Sequence, residues 1–373
     1  MKKYVFVLSY VAGPRMNKRI RLMKEYFKVS TIYWKRSEES IWELSERTVD
    51  NREIYERANY GMPLKRINAT VKFIMKAIKH LKSIQPDFIH VENLDMLFAA
   101  VLYKRIYGNK VHIIYEVADI HELLINNYAN PIRKIVQMVL KFTEEKMCKL
   151  VDLLIITSEK FYKMYYYKLF DEEHHLYMPN MPDLTAFKNY DKKRGGKFTV
   201  AFIGWIRYKE QLKSLIKISD KLDINVFIAG SSDDDEIETY ASEFSNVTFY
   251  GKYDFDTEIS KLYSQADCIF SVYSREKKNV DFALPNKLYE SIYCALPIIV
   301  SKETYLAQVV EEWGVGCAID CTNIIELENT LEQLKNNEEF YKTIEDNCIK
   351  MQEMINIKYY NRKLIDKVKS VEN

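Results

Sequence analysis

Short apolar runs rich in β-branched and aromatic residues alternate along this chain with longer stretches in which apolar positions recur every three or four residues. That alternation is the pattern of parallel α/β sheets. In the first half it predicts strands at residues 4–8, 29–33, 88–91, 111–115 and 153–157, and in the second at 199–203, 225–229, 247–250, 268–272 and 297–300. Segments 16–27, 63–84 and 131–149 between them carry the helical period. The polar stretch "NYDKKRGGKF", with Gly195 and Gly196 adjacent, reads as a linker. An α/β protein of two Rossmann-like domains facing across a cleft follows, with the first spanning 1–190 and the second 191–355.

Length agrees, since 373 residues exceed the roughly 150 of an average domain. The content is that of a globular chain, 47% hydrophobic and 29% charged, with only 10 glycines and 8 prolines. A net charge of +2 conceals an asymmetry. Residues 1–190 hold 31 Lys+Arg against 22 Asp+Glu, or +9, and the remainder 24 against 31, or −7. The basic half therefore points to an anionic neighbour, such as a membrane surface or a phosphate-linked substrate. Lys18, Arg19, Arg21 and Lys24 in "GPRMNKRIRLMKEYFK" are the expected contacts. Cysteines 148, 268, 294, 317, 321 and 348 lack zinc spacing and suit a reduced, cytoplasmic protein. The opening "MKKYVFVLSYVAGPR" reads as a buried first strand and not as a signal peptide, because its apolar run is short and lacks a small-x-small site. No apolar run approaches the ~20 residues that span a bilayer, so membrane contact is expected to be peripheral.

In open α/β sheets ligands sit beyond the carboxyl ends of the strands, so the loops there hold the candidate chemistry. "GWIRYKE" follows the first strand of the second half and offers Gly204 for a tight turn, with Arg207 and Lys209 to grip a diphosphate. "FALPNKLYESIYCALPIIVS" places Lys287 and Glu290 on the entry turn of a predicted helix after Pro285. A helix N-terminus favours an anion, and a carboxylate suits ribose hydroxyls. "EVADIHELL" gathers Glu116, Asp119, His121 and Glu122 after a strand, with His90 ending another, and these are proton-handling types.

Two DxD patterns, Asp233 with Asp235 and Asp254 with Asp256, precede helix-like stretches and read as helix caps, not as metal ligands. There is no GxGxxG and no GxxxxGK[ST], so neither a dinucleotide fingerprint nor a P-loop is present. No nucleic-acid motif accompanies the basic stretches.

The chain resembles the GT-B glycosyltransferases, in particular the retaining family 4 enzymes of bacterial polysaccharide assembly. The resemblance runs through "GPRMNKRIRLMKEY", "PDFIHVENLDMLFAAVLYKRIYG", "EVADIHELL", "LVDLLIITSEKF", "LYMPNMPDL", "AFIGWIRY", "NVTFYGKYD" and "LYSQADCIFSVY". "LPNKLYESIYCALPIIVS" and "EEWGVGCAID" are its most specific segments. It implies that Glu290 holds the nucleotide ribose, that Arg207 with Lys209 or Lys287 neutralises the diphosphate, and that Lys252 and Tyr253 lie near the base. It places Gly13, Gly204, Asn286 and Leu288 beside the donor and His121 near its sugar, with His121, Arg207 and Asp119 as the catalytic candidates. It also implies that 356–373 form a helix returning to the first domain, packed through Tyr359, Tyr360 and Ile365. Two departures stand out. Phe282, next to Asp281, occupies the position eight before Glu290 where the family often has a second glutamate, and Ala295 stands where a glycine is common.

The expected reaction is transfer of a sugar from a nucleotide-diphosphate sugar to a glycan or lipid-linked acceptor, with retention and without a metal or other cofactor. A nucleotide-sugar 2-epimerase and a non-catalytic nucleotide-sugar binding protein are the alternatives.

Overall fold

The computed structural model describes residues 1–37, 46–58, 63–108, 110–182, 184–192, 195–276 and 278–371, with the side chains of 63–65 left out. Linker residues 193–194 lie outside that set. The chain divides into two compact units, Met1–Pro179 with Lys358–Asn373, and Asn180–Ile357.

The first unit is built on seven parallel strands: β1 (Lys3–Leu8), β2 (Lys28–Lys35), β3 (Asp50–Tyr55), β4 (Phe88–Glu92), β5 (His112–Val117), β6 (Leu153–Ile156) and β7 (His175–Tyr177). Their order in the sheet is β3-β2-β1-β4-β5-β6-β7. Central strands have both faces covered, so "YVFVL" in β1 and "LLII" in β6 are buried throughout. On one face, Tyr4, Phe6 and Leu8 pack with Met16, Ile20 and Met23 of helix Pro14–Lys24. The C-terminal helix Ile357–Ser370 joins the same cluster through Leu364, Ile365 and Val368. Tyr360 packs against this cluster, whereas Tyr359 stays half exposed. Helices Pro63–Ile84, Leu94–Tyr107 and Pro131–Cys148 form the other crossovers.

The second unit has six parallel strands: β8 (Thr199–Ile203), β9 (Asn225–Ala229), β10 (Val247–Gly251), β11 (Cys268–Ser271), β12 (Ile298–Ser301) and β13 (Gly316–Ile319). Their order is β10-β9-β8-β11-β12-β13. Every expected strand is present within about two residues at its ends. The three that the hydrophobic pattern misses, β3, β7 and β13, are all sheet edges. An edge strand is covered on fewer sides, and "DNREIY" of β3 buries only Ile54.

The boundary near residue 190 is corrected to Pro179/Asn180. A turn of helix at Leu184–Phe187 already belongs to the second unit, because the Phe187 ring meets those of Tyr263 and Tyr293 at 5.3 and 5.6 Å. Tyr190 reinforces it by donating to the Cys294 carbonyl at 2.9 Å. No described helix is long and apolar enough to cross a membrane.

Candidate functional site

In the second sheet the strand order reverses between β8 and β11, the place where a crevice opens beyond the carboxyl ends. Gly204 follows β8 there, with φ +138°, and Gly230 follows β9 with φ +147°. A Cβ on Gly230 would lie 1.8 Å from the Gly204 carbonyl oxygen, so only glycine lets these two loops touch.

Helix Asn286–Tyr293 enters the same place after β11. Its N-cap is Pro285, which contributes no side-chain cap, so its first-turn amides face outward with their partial positive charge. Asn286 at this entrance has a buried Oδ1 with no hydrogen-bond partner among the described residues. Lys287 is buried, with Nζ 3.7 Å from the Phe202 ring centroid and 5.5 Å from that of Tyr273. Its Cε would stand 3.2 Å from a Cβ on Gly204. Burial lowers its pKa to about 7, against the opposing pull of Glu290. The ammonium is thus held by aromatic faces beneath a glycine.

Tyr273 beside it is held by three hydrogen bonds. Its N–H donates to Ser301 Oγ at 2.7 Å, Ser301 Oγ donates back to its carbonyl at 2.8 Å, and Ser271 Oγ donates to its hydroxyl at 2.8 Å. Burial pushes its phenol up to about 12, with Glu290 adding and Arg207 opposing. Arg207 itself is exposed and forms no ion pair among the described residues.

Glu290 lies one turn beyond Lys287, buried, and accepts from Tyr263 Oη at 2.5 Å. Its charge also raises the half-buried Tyr253 phenol, on which burial acts first. Gly204, Arg207, Tyr253, Lys287 and Glu290 therefore gather around one sheet edge, as the spacing of their loops implies. Tyr263, Phe202, Tyr273 and Gly230 complete the group and were not singled out from sequence. Only the position of Gly230 just after a strand carried a signal.

Other expected residues behave differently. Lys209 opens helix Lys209–Lys221, and its ammonium pairs with Asp234 and, at 2.8 Å, with Glu236. It is thereby neutralised, and Lys287 is the better-placed cation. Leu288 is fully buried, so only its backbone can face a ligand. Lys252 is exposed. Asp281 is tied to Arg275 at 3.0 Å. Ala295 adopts φ +51°, which explains why a glycine suits that position.

Asp254 caps helix Phe255–Tyr263 by accepting from Thr257 N–H at 2.9 Å. Asp235 stands at the N-cap of Glu236–Ala241 without a side-chain bond, and Asp234 accepts the Glu236 N–H instead at 3.2 Å. No group of three or more His, Cys, Asp or Glu among the described residues could hold a metal.

The first sheet reverses between β1 and β4. There Asn93 donates to Ser9 Oγ at 2.8 Å, holding φ +67° and ψ 154°, a strained combination for a residue with a side chain. Gly13 caps helix Pro14–Lys24 at φ −79°, and a Cβ on it would meet nothing within 4 Å. The "EVADIHELL" cluster comes apart. Glu116 points inward from β5 to Arg19 and His90, each at 3.2 Å, and to Arg15 at 3.4 Å. Burial would raise the Glu116 pKa, but these cationic neighbours hold it well below the usual carboxylate range. Burial lowers that of His90, so neither group is a proton carrier at the surface. Tyr4 bonds the other nitrogen of His90 at 2.8 Å. Asp119 and His121 are exposed at the strand end, with Glu122. His121 caps the short helix Glu122–Ile125, its Nδ1 accepting from Leu123 N–H at 3.2 Å. The neutral ring then carries its proton on Nε2. Partial desolvation of the ring lowers its pKa, with Glu122 opposing and Arg66 adding.

The basic face expected on helix Pro14–Lys24 is also corrected. Arg19 is buried against Glu116, and Arg21 and Lys24 pair with Glu46 at 2.7 and 3.0 Å.

Residues 185–351, almost all of the second unit, match the family described as Glycosyl transferases group 1. The succinoglycan biosynthesis protein ExoL of Rhizobium meliloti (strain 1021) is 24% identical, over 74% of this chain and 71% of that one. Sucrose-phosphate synthase from Thermosynechococcus elongatus superposes with a TM-score of 0.76 at 14% identity, covering 99% of both chains. Anabaena HepE, in complex with UDP, does so with 0.71 at 13% identity, covering 99% of this chain and 100% of its own. By these matches the chain has the two-domain GT-B fold, and residues 185–351 of its second unit resemble the group 1 glycosyl transferases.

Proposed function

We propose that the chain moves a sugar, with retention at the anomeric carbon, from a nucleotide-diphosphate sugar to a glycan or lipid-linked acceptor in cell-surface polysaccharide assembly. The observation that carries this reading is the Lys287 ammonium, buried beneath Gly204 at the uncapped start of helix Asn286–Tyr293. A buried cation beside unfilled helix amides is stabilised by a polyanion, and a diphosphate supplies one. ExoL is a succinoglycan biosynthesis protein and HepE was solved with UDP, which support the polysaccharide and nucleotide parts of the proposal.

In this reading the exposed Arg207 fork and Lys287 take up the charge that grows on the diphosphate as the bond to the sugar breaks. Glu290, oriented by Tyr263, accepts ribose hydroxyls, and Tyr253 lines the base. Asn286 uses its unpartnered oxygen on the nucleotide. In the first unit, His121 with its Nε2–H and Asp119 are the candidates for acting on the sugar. The acceptor belongs to the first unit. No metal is required, because the two cations and the helix terminus supply the positive charge.

Screening nucleotide-sugar donors by thermal shift tests the donor site, since a ligand at 100 times its Kd stabilises by ~2.7 kcal/mol. Release of nucleoside diphosphate only when acceptor is present is expected of a transferase. Release without acceptor, or conversion of the donor sugar to its epimer, would overturn the reading.

A further inference from the structure

Helix Pro131–Cys148 carries an apolar stripe that the fold leaves uncovered. Ile135, Met138, Val139 and Phe142, spaced three, four and seven apart on one side, are each 59 to 65% exposed. Residues 131 to 136 are exposed without interruption, so the start of the helix stands clear of the unit beneath. Helix Leu94–Tyr107 packs against this helix and against helix Pro63–Ile84, and all three belong to one layer. The last of these has its own stripe, Ile67, Val71 and Met75, four residues apart and 49 to 67% exposed. Single exposed apolar residues are ordinary, but a stripe on each of the two helices that pack against helix Leu94–Tyr107 needs a partner.

Charge says which partner. Helix Pro63–Ile84 contains six Lys and Arg and no acidic residue. Helix Pro131–Cys148 has four cations and two glutamates, one of which, Glu144, is buried and accepts from Tyr165 at 2.7 Å and Tyr166 at 2.9 Å. Lys72, Lys79, Arg133, Lys134 and Lys141 form no ion pair among the described residues. Arg133 and Lys146 lean on the rings of Tyr128 and Phe142, at 5.6 and 5.2 Å. Apolar side chains flanked by unpaired cations match the two layers of an anionic leaflet, acyl chains within and headgroup charge outside. A second copy of the same face would bring like charges together. A nucleic acid would leave isoleucine, valine and methionine against water.

We propose that this face, centred on helix Pro131–Cys148 and flanked by helix Pro63–Ile84, docks the first unit on an anionic lipid bilayer. The surface is built from first-unit residues and the donor crevice from second-unit residues, so docking stands or falls independently of the transfer reaction. It replaces helix Pro14–Lys24 as the membrane-facing element, because Arg15, Arg19, Arg21 and Lys24 of that helix are already paired.

The test is co-sedimentation of the full chain with vesicles of phosphatidylcholine alone or of an equimolar phosphatidylcholine–phosphatidylglycerol mixture, at low and high salt. Binding to the mixed vesicles that weakens with salt is expected. Combined Ile135→Ser, Met138→Ser, Val139→Ser and Phe142→Ser should reduce that binding by about tenfold or more. Lys72→Gln, Lys79→Gln, Lys134→Gln and Lys141→Gln together should reduce it comparably, whereas Lys18→Gln, Arg21→Gln and Lys24→Gln should not. The altered residues are solvent-exposed except Lys18 and Lys141, which are partly buried, and an unchanged melting temperature with unchanged donor-induced thermal shift reports that folding and the donor site persist. Vesicle binding that survives both sets would overturn the proposal. So would concentration-dependent dimerisation, or salt-sensitive binding to RNA, abolished by the same substitutions in a chain that ignores vesicles.

Discussion

Tyr263 and Glu290 are joined by a 2.5 Å hydrogen bond between two buried side chains, from helix Phe255–Tyr263 to helix Asn286–Tyr293. The carboxylate expected to hold a ribose is therefore also part of the packing between these helices. Glu290→Gln keeps an acceptor for the tyrosine but loses the charge, and should weaken donor binding by ~1.5 to 3 kcal/mol with little change in melting temperature. Glu290→Ala strands the Tyr263 hydroxyl and should in addition lower stability by ~1 to 3 kcal/mol. Calorimetric donor titration and thermal denaturation separate the effects. Equal donor affinity in wild type and Glu290→Gln would remove Glu290 from the nucleotide site.

The proposed contact of Lys287 with the diphosphate predicts that donor binding is linked to protons. The Lys287 pKa of about 7 lies below that of an unfolded lysine, so in the window between them the unfolded chain holds the extra proton and stability rises with pH. Below about pH 7 both states are charged and the burial penalty is fully felt. A bound diphosphate restores the charged form. Titrations at about pH 8 in buffers of different ionisation enthalpy should show uptake of up to one proton per nucleoside diphosphate, and none in Lys287→Met. Identical apparent enthalpies in all buffers would count against the contact.

Arg207 is exposed and supports no packing, so Arg207→Ala should lower turnover about a hundredfold while leaving the melting temperature unchanged. Arg207→Lys should recover little of it, because the paired geometry is lost. Turnover should survive excess EDTA. Loss on chelation, restored by magnesium or manganese, would assign the charge neutralisation to a metal.

Ala295 holds a left-handed backbone just past the end of helix Asn286–Tyr293. Ala295→Gly relieves that conformation and should raise stability by ~1 kcal/mol, measured by denaturant unfolding. A lower stability would mean that the alanine methyl contributes more by packing than its backbone costs.

Glu116 is buried among Arg19, Arg15 and His90, so Glu116→Gln leaves the buried Arg19 without its carboxylate, while Arg15 keeps Glu92 at 2.7 Å, and should cost ~3 to 5 kcal/mol. Its folded pKa is depressed, so the stabilisation is present above the ordinary carboxylate value of ~4.3 and is lost as pH falls below it. Acid unfolding at a higher pH than a Glu122→Gln control would be the signature of its loss.

The alternation of short apolar runs and amphipathic stretches determined the α/β class, the division into two units and the central strands, because a strand covered on both faces must be apolar throughout. It could not reveal β3, β7 and β13, whose edge positions relax that demand. Local order also placed Gly204, Arg207, Lys287 and Glu290 at strand ends, since loops after parallel strands share one side of the sheet. What each side chain does there depended on distant neighbours that sequence spacing does not encode. Asp234 and Glu236 claim Lys209, Arg15 and Arg19 draw Glu116 inward, Tyr263 reaches Glu290 from another helix, and Phe202 with Tyr273 shelters Lys287. The basic balance of the first half was visible as a number, but only packing decided which of its cations are spent on partners and which remain beside exposed isoleucine, valine and methionine.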